Sequence, residues 1–242
     1  MTPRRTVVTT SWDDGHRLDT ALADLLARYD VPGTFYIAPR NVELRPADRL
    51  PAEGIRDLAA RDGVEIGGHT LSHLRLPLLD DAAAREQVTL GKIELENIIG
   101  APVVSFCYPR GQYRAVHVRQ VVQAGFRLAR TVRRSSLATG PVLEMATTVN
   151  AYAHRVDVPL VLRLAGGRPG HAARLYRHWD ELAIRWFDLC LERGGVYHLW
   201  GHSWEVDARG DWARLERVLA HISGRPDVRY VTNGTLAEAG AA

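Results

Sequence analysis

The chain has 242 residues, of which 46% are apolar and 24% charged, and a formal net charge of only +3. This allows one large α/β domain spanning residues 1–242 with a buried core; arginines scattered around a single lysine, Lys92, form no basic stripe and exclude a nucleic-acid partner. Cys107 and Cys190 are too few for a disulfide framework, and neither a leader pattern nor an apolar run of membrane-spanning length is present, so the expectation is a cytoplasmic protein with no membrane partner.

Strand and helix patterns alternate. Thr6–Trp12 reads as a buried strand, and Leu18–Tyr29 as a helix with Leu18, Leu22, Leu25 and Leu26 on one face. Gly33–Ala38 is the second strand, Pro51–Arg61 a helix opened by proline, and Val64–Ile66 a strand running into Gly67-Gly68-His69. Asp80–Ile99 is a long helix closed by Gly100; Val103–Tyr108, Ala115–Ala124 and Phe126–Val132 continue the alternation as strand, helix and strand. Residues 133–170 are less regular, with one strand expected over Val142–Asn150. Helix Ala172–Glu192, strand Val196–Trp200, helix Asp211–Ile222, strand Val228–Thr232 and a small-residue tail complete the pattern. Such alternation predicts a parallel sheet or barrel.

The chemistry-bearing residues fall at the carboxyl ends of these strands: Asp13-Asp14, Arg40-Asn41, His69, Arg110, Arg130-Thr131, Asn150 and His202. In a parallel barrel those ends share one face, where active sites are built. Asp14, His69 and His73 supply the oxygen and two imidazoles that a single catalytic divalent ion needs. Zinc suits this set first, and Co, Ni or Mn could take the same donors. Asp13 is then surplus, beside the ligands, where a base acting on water would stand. Taken singly, Asp-Asp-Gly suits a turn, and two histidines four apart suit a helix face. The joint pattern is what argues for a site.

The pattern resembles the polysaccharide deacetylases of the NodB-homology type. Ser11-Trp12-Asp13-Asp14-Gly15 is similar to the family's first motif, written TFDDG, and His69-Thr70-Leu71-Ser72-His73 to its H-S/T-x-x-H motif. Phe106-Cys107-Tyr108-Pro109-Arg110-Gly111 resembles the third motif, and Leu199-Trp200-Gly201-His202 the fifth. The resemblance implies a distorted (β/α)7 barrel of TIM-like type and metal-dependent removal of an N-acetyl group from an amino sugar. It gives Asp13 the role of base, Asp14, His69 and His73 the metal, and His202 the role of acid. It also implies that the Tyr108–Gly111 loop walls the groove and offers a backbone N–H to the oxyanion.

Two departures stand out. Cys107 occupies the place of the motif-three arginine that pairs with the catalytic aspartate, and Arg130-Thr131-Val132 sits where the motif-four aspartate belongs. Arg130, ending the next strand, is expected to reach the carboxylate across a strand spacing of about 4.8 Å and keep Asp13 ionised. Tyr108, Arg110, Trp200, Trp204 and Arg130 are the expected substrate contacts, with Trp12, Asn150, Tyr152 and His154 as further wall candidates and His154 the alternative acid. Cys107 reads as a small buried residue. The expected partner is a small molecule or short glycan. Two alternatives stay open: hydrolysis of another C–N bond, in a cyclic amide or formamide, and a catalytically dead carbohydrate-binding barrel. Neither substrate nor oligomeric state follows from the sequence.

Overall fold

The computed structural model describes residues 6–153 and 158–239. In chain order the elements are β1 (Thr6–Asp14), α1 (Asp19–Ala27), β2 (Gly33–Ile37), α2 (Ala52–Ala59), β3 (Val64–Gly68), α3 (Asp81–Ile99), β4 (Ser105–Cys107), α4 (Ala115–Gln123) and β5 (Leu128–Arg130). Then follow β6 (Val149–Asn150), α5 (Val158–Leu164), α6 (Pro169–Arg177), α7 (Trp179–Arg193), β7 (Gly195–Gly201), α8 (Ser203–Ala208), α9 (Trp212–Ile222), β8 (Val228–Tyr230) and α10 (Asn233–Ala239). None of the helices is long and apolar enough to cross a membrane among the described residues.

All paired strands are parallel, in the order β5-β4-β3-β2-β1-β7-β6, with β8 added to the first residues of β1. Beyond β5, Met145 of the segment leading to β6 forms an isolated parallel bridge to Arg130, its N–H donating to Ala129 O and its carbonyl accepting from Thr131 N–H. The result is a distorted (β/α)7 barrel, as the alternating pattern and the resemblance require.

β1 carries β-branched and aromatic residues that suit a pleated, enclosed surface, and eight of its nine residues are buried. Its Val8 and Trp12 join Leu22 and Leu26 of α1, Phe35 of β2 and Leu199 of β7 in the apolar layer between strands and helices. The barrel interior is polar, with side-chain hydrogen bonds running between its strands. Ser11 Oγ pairs with His198 Nε2 at 2.8 Å, and Glu65 accepts from Thr34 and Ser105. At the amino end of the strands the start of α10 packs under the barrel: Asn233 accepts from Thr9, donates its amide to Tyr36 Oη and donates its backbone N–H to Thr34 Oγ1.

Several expectations need correction. Val142–Asn150 is not one strand but a single 3-10 turn, Val142–Glu144, and the two-residue β6. Its intervening backbone is consumed by the loop before it, Thr147 N–H donating to Arg133 O and Ser135 N–H to Thr148 O. The helix expected over Ala172–Glu192 breaks at His178 (φ −116°, ψ 78°), which lets Trp179 bury and donate to Asp211 Oδ2 at 2.9 Å. The tail is a helix because Asn233 docks it in the barrel, and α5 and α8 were not anticipated.

Candidate active site

Strand register fixes which residues meet. Asp14 stands beside Ile37, Ile37 beside Gly68 and Gly68 beside Phe106, while Trp12 faces Gly201 across the other edge of β1. Asp13-Asp14, His69 and His202 therefore emerge at one level at the carboxyl ends of β1, β3 and β7. Asp14, Thr70, His73 and Arg110 all hold left-handed backbone (φ 88°, 66°, 61° and 55°), a conformation that L-residues adopt sparingly and that clusters at functional sites. The two histidines lie on the loop after β3, not on a helix face. α3 crosses that loop at Gly91, where a Cβ would lie 2.6–2.8 Å from the backbone of Thr70 and Leu71.

Asp14, His69 and His73 are buried, and their donor atoms lie within 4.8 Å of one another. His69 Nδ1 is 2.7 Å from Cys107 O; a carbonyl only accepts, so Nδ1 carries the proton and Nε2 presents its lone pair toward Asp14 Oδ1 at 3.7 Å. His73 Nε2 approaches the same oxygen at 3.2 Å. Asp14 Oδ2 is engaged by the Trp204 indole N–H at 2.8 Å, whereas Oδ1 is buried without a hydrogen bond among the described residues. Burial opposes charge on Asp14, but His202, His73 and His69 outweigh it and hold the carboxyl below its ordinary range. Burial, with His73, pushes His69 down to about 4, keeping the imidazole neutral as a ligand must be. A carboxylate oxygen approached by the Nε2 atoms of two imidazoles fits a divalent ion.

Asp13 is held differently. The fully buried Arg130 donates from Nη2 to its Oδ1, and the Cys107 thiol lies 3.7 Å from Oδ2. The guanidinium lies over two rings, 4.6 Å from the centroid of Trp200 and 5.2 Å from that of Tyr36. Asp13, His69 and Cys107 also approach within 4.8 Å, but burial pushes the thiol far above its ordinary range and the carboxylate already has its cation. His202 faces Asp14 Oδ2 through Nε2 at 3.9 Å and binds Glu205 Oε2 through Nδ1 at 2.6 Å. Burial disfavours its charge, yet Asp14 and Glu205 override this and push it up to about 9. A cavity of about 560 Å³ opens over these groups, lined further by Glu43, Leu44, Arg110, Val132, Arg134, Tyr152, Trp200 and Trp204.

The sequence model of the polysaccharide deacetylase family matches residues 1–129, more than half of the chain. The chain belongs to the polysaccharide deacetylase family. Solved structures agree on the fold. A Mycobacterium smegmatis protein assigned as a polysaccharide deacetylase is 21% identical, with 98% of this chain and 90% of that one covered and a TM-score of 0.67. The chitin deacetylase of Colletotrichum lindemuthianum is 19% identical over 96% and 87%, with a TM-score of 0.62. The Streptococcus pyogenes deacetylase PplD, solved in complex with acetate, is 18% identical over 57% of this chain, which spans 62% of its length, with a TM-score of 0.51. A search of the curated proteins finds no match.

Membership of the polysaccharide deacetylases supports a hydrolase acting on C–N bonds, and the family match ends just before Arg130 and well before His202. Two of the expected substrate residues of this deacetylase-family chain lie outside the cavity lining. Tyr108 is fully buried, stacked on Tyr113 and bonded to Leu143 O, so it packs the loop and does not line the cavity. Arg130 is equally buried and serves Asp13. Arg110, Trp200 and Trp204 do line the cavity, as does Tyr152. Trp12 and Asn150 are buried away from it, and His154 lies outside the described residues. Glu43 and Glu205 went unread. Glu205 had a weak signal, lying three residues after His202 where a helix turn brings them together; Glu43 had none.

Proposed function

We propose that the chain hydrolyses the N-acetyl group of an amino sugar or a related small N-acylated metabolite, with one divalent ion, zinc first, held by Asp14, His69 and His73. The observation that carries this reading is the pair of groups flanking those ligands: Asp13, gripped by the buried Arg130, and His202, set between Asp14 and Glu205. The chemistry such an ion supplies when bound is Lewis acidity toward the amide carbonyl and acidification of water. Asp13 accepts the proton of the attacking water. Its arginine keeps the carboxylate oriented. His202 delivers a proton to the amine nitrogen as the C–N bond breaks, so that water and amide become acetate and amine. Trp200, Trp204, Leu44 and Val132 wall off solvent, and the cavity lies within the roughly 300–1,000 Å³ range of small-ligand pockets.

The test is a screen of N-acetylated mono- and disaccharides, nucleotide sugars, longer oligosaccharides, formamides and cyclic amides, with acetate and free amine measured separately and metal content determined in parallel. Release of acetate and amine in equal amounts from the small sugars supports the reading. Ring opening of a cyclic amide or release of formate would replace it with the broader C–N hydrolase. Faster turnover of long oligosaccharides than of mono- or disaccharides would overturn the substrate class. Binding without turnover by the metal-loaded protein would make the barrel a carbohydrate-binding one.

A further inference from the structure

The loop after β2 carries a carboxylate that the mechanism does not use. Glu43 Oε2 lies 3.1 Å from Nδ1 of His73, on the opposite side of the ring from the Nε2 that faces Asp14. That Nδ1 is buried and forms no hydrogen bond within the described residues, the glutamate approaching it at ion-pair distance but off the hydrogen-bond angle. Three further contacts show that Glu43 is held there. Arg110 grips the carboxylate with both arms, Nη2 to Oε2 at 2.7 Å and Nε to Oε1 at 3.3 Å. Asn41, which is buried, accepts the backbone N–H of Glu43 at 2.9 Å and donates to the backbone carbonyl of Asp14 at 3.1 Å. The two loops are also stitched by backbone bonds, Arg40 N–H to Leu71 O and Val42 N–H to Ser72 O.

Asn41 thus joins Glu43 to Asp14 through the backbone, while the carboxylate faces the outer nitrogen of His73. A carboxylate at the second nitrogen of a ligating imidazole fixes its tautomer and rotation and raises its basicity. We propose that Glu43 is a positioning residue for His73, clamped by Arg110 and aligned by Asn41, and that it sets the affinity of the Asp14, His69 and His73 site for its ion. His69 obtains the same service from the carbonyl of Cys107. His73, on a left-handed residue of a loop, has no such carbonyl among the described residues and depends on Glu43. This inference rests on the metal-site reading proposed above.

The test measures zinc and cobalt affinity by chelator competition on purified apo-protein, with thermal unfolding of the apo-protein as a check on the fold. Glu43→Gln should weaken binding by about 10–100-fold, the usual effect of losing such an outer partner. Arg110→Met should weaken it less, because the glutamate remains but loses its clamp. The Co(II) absorption spectrum should shift in Glu43→Gln, which a merely structural role would not cause. Glu94→Gln, which removes the carboxylate of the surface pair with Arg40, is the control and should bind as wild type does. Affinity of Glu43→Gln within twofold of wild type, with an unmoved spectrum, would overturn the inference. So would loss of binding as complete as in His73→Ala, which would make Glu43 a ligand. A wild-type protein that binds neither ion would overturn the metal-site reading itself and this inference with it, an outcome distinct from either.

Discussion

At the scale of single residues, the site depends on which charges are buried and with whom. Asp13 and Arg130 are both almost wholly inaccessible, and removing one partner of such a pair leaves the other charged and unsolvated. Arg130→Met should therefore destabilise the protein by about 3–5 kcal/mol, read from urea denaturation; a loss below about 1 kcal/mol, the scale of surface pairs, would contradict it. Asp13→Asn keeps shape and metal ligands, and should retain the ion by elemental analysis while activity falls by roughly 10²–10⁴-fold. Loss of metal in parallel would make Asp13 a ligand. For His202, the acid form is the active one, so activity should decline as pH rises through its titration, which the Glu205 carboxylate at Nδ1 helps to hold up. Glu205→Gln removes one of the two carboxylates that favour the charge, and the basic limb of the kcat/KM profile should move to lower pH. An unmoved limb would assign that limb to another group.

At the scale of elements, loops at the carboxyl ends hold the chemistry while helices press them into place. α3 is capped by Asp80, whose side chain accepts from Ala83 N–H at 2.8 Å, and ends at Gly100 with φ 71°. Its Gly91 meets the backbone of Thr70 and Leu71, where no side chain fits. Alanine is intrinsically about 1 kcal/mol better than glycine in a helix interior. Gly91→Ala should nevertheless lower the melting temperature and the metal content together, because the methyl group must push α3 away from the His69–His73 loop, an overpacking that costs about 1–3 kcal/mol. A raised melting temperature with metal content unchanged would show that the loop can yield. α8 does comparable work on the other side, bringing Trp204 to Asp14 and Glu205 to His202 within a single helix of six residues.

At the scale of the whole molecule, the β1 and β7 arms are tied by Asp19 at the start of α1, which accepts from Ser203 Oγ at 2.5 Å. Both residues are fully buried. Burial pushes the Asp19 carboxyl up to about 8, with nearby Asp14 and Asp13 adding to it and Ser203 and His202 opposing. The amino end of α1 favours the anion by up to about 1 kcal/mol, less than the several kcal/mol that burying an unpaired ion costs. The folded protein thus keeps a proton that the unfolded chain releases near pH 4. Stability from this group is full below pH 4 and is lost as pH rises toward about 8, beyond which the loss levels off. Asp19→Asn lacks this dependence, so its melting temperature should rise relative to wild type between pH 5 and 8.5 (about three and a half units spanning that release). A constant difference across that range would show that Asp19 is ionised throughout.

The sequence by itself determined the alternation that makes a parallel barrel, the placement of Asp13, Asp14, His69, His73 and His202 at strand ends, and an arginine at Arg130 to face a carboxylate lacking its usual neighbour. These are legible because strand periodicity and short motifs are local, and because parallel strands place their carboxyl ends on one face. Residues 131–150 and the tail were not, since their conformations are set by distant partners: Thr147 by Arg133, and Asn233 by Thr9, Thr34 and Tyr36. The same holds for the supporting carboxylates. Glu43 is thirty residues from His73 and meets it only because β2 and β3 are neighbours and their loops hydrogen-bond. Tyr108 and Arg130 looked like groove residues because they end strands, but whether a strand-end side chain points into the cavity or back beneath it depends on its backbone and its partner. For Arg130 the carboxylate of Asp13 decides, since burying either charge alone would cost more than the barrel interior can offset.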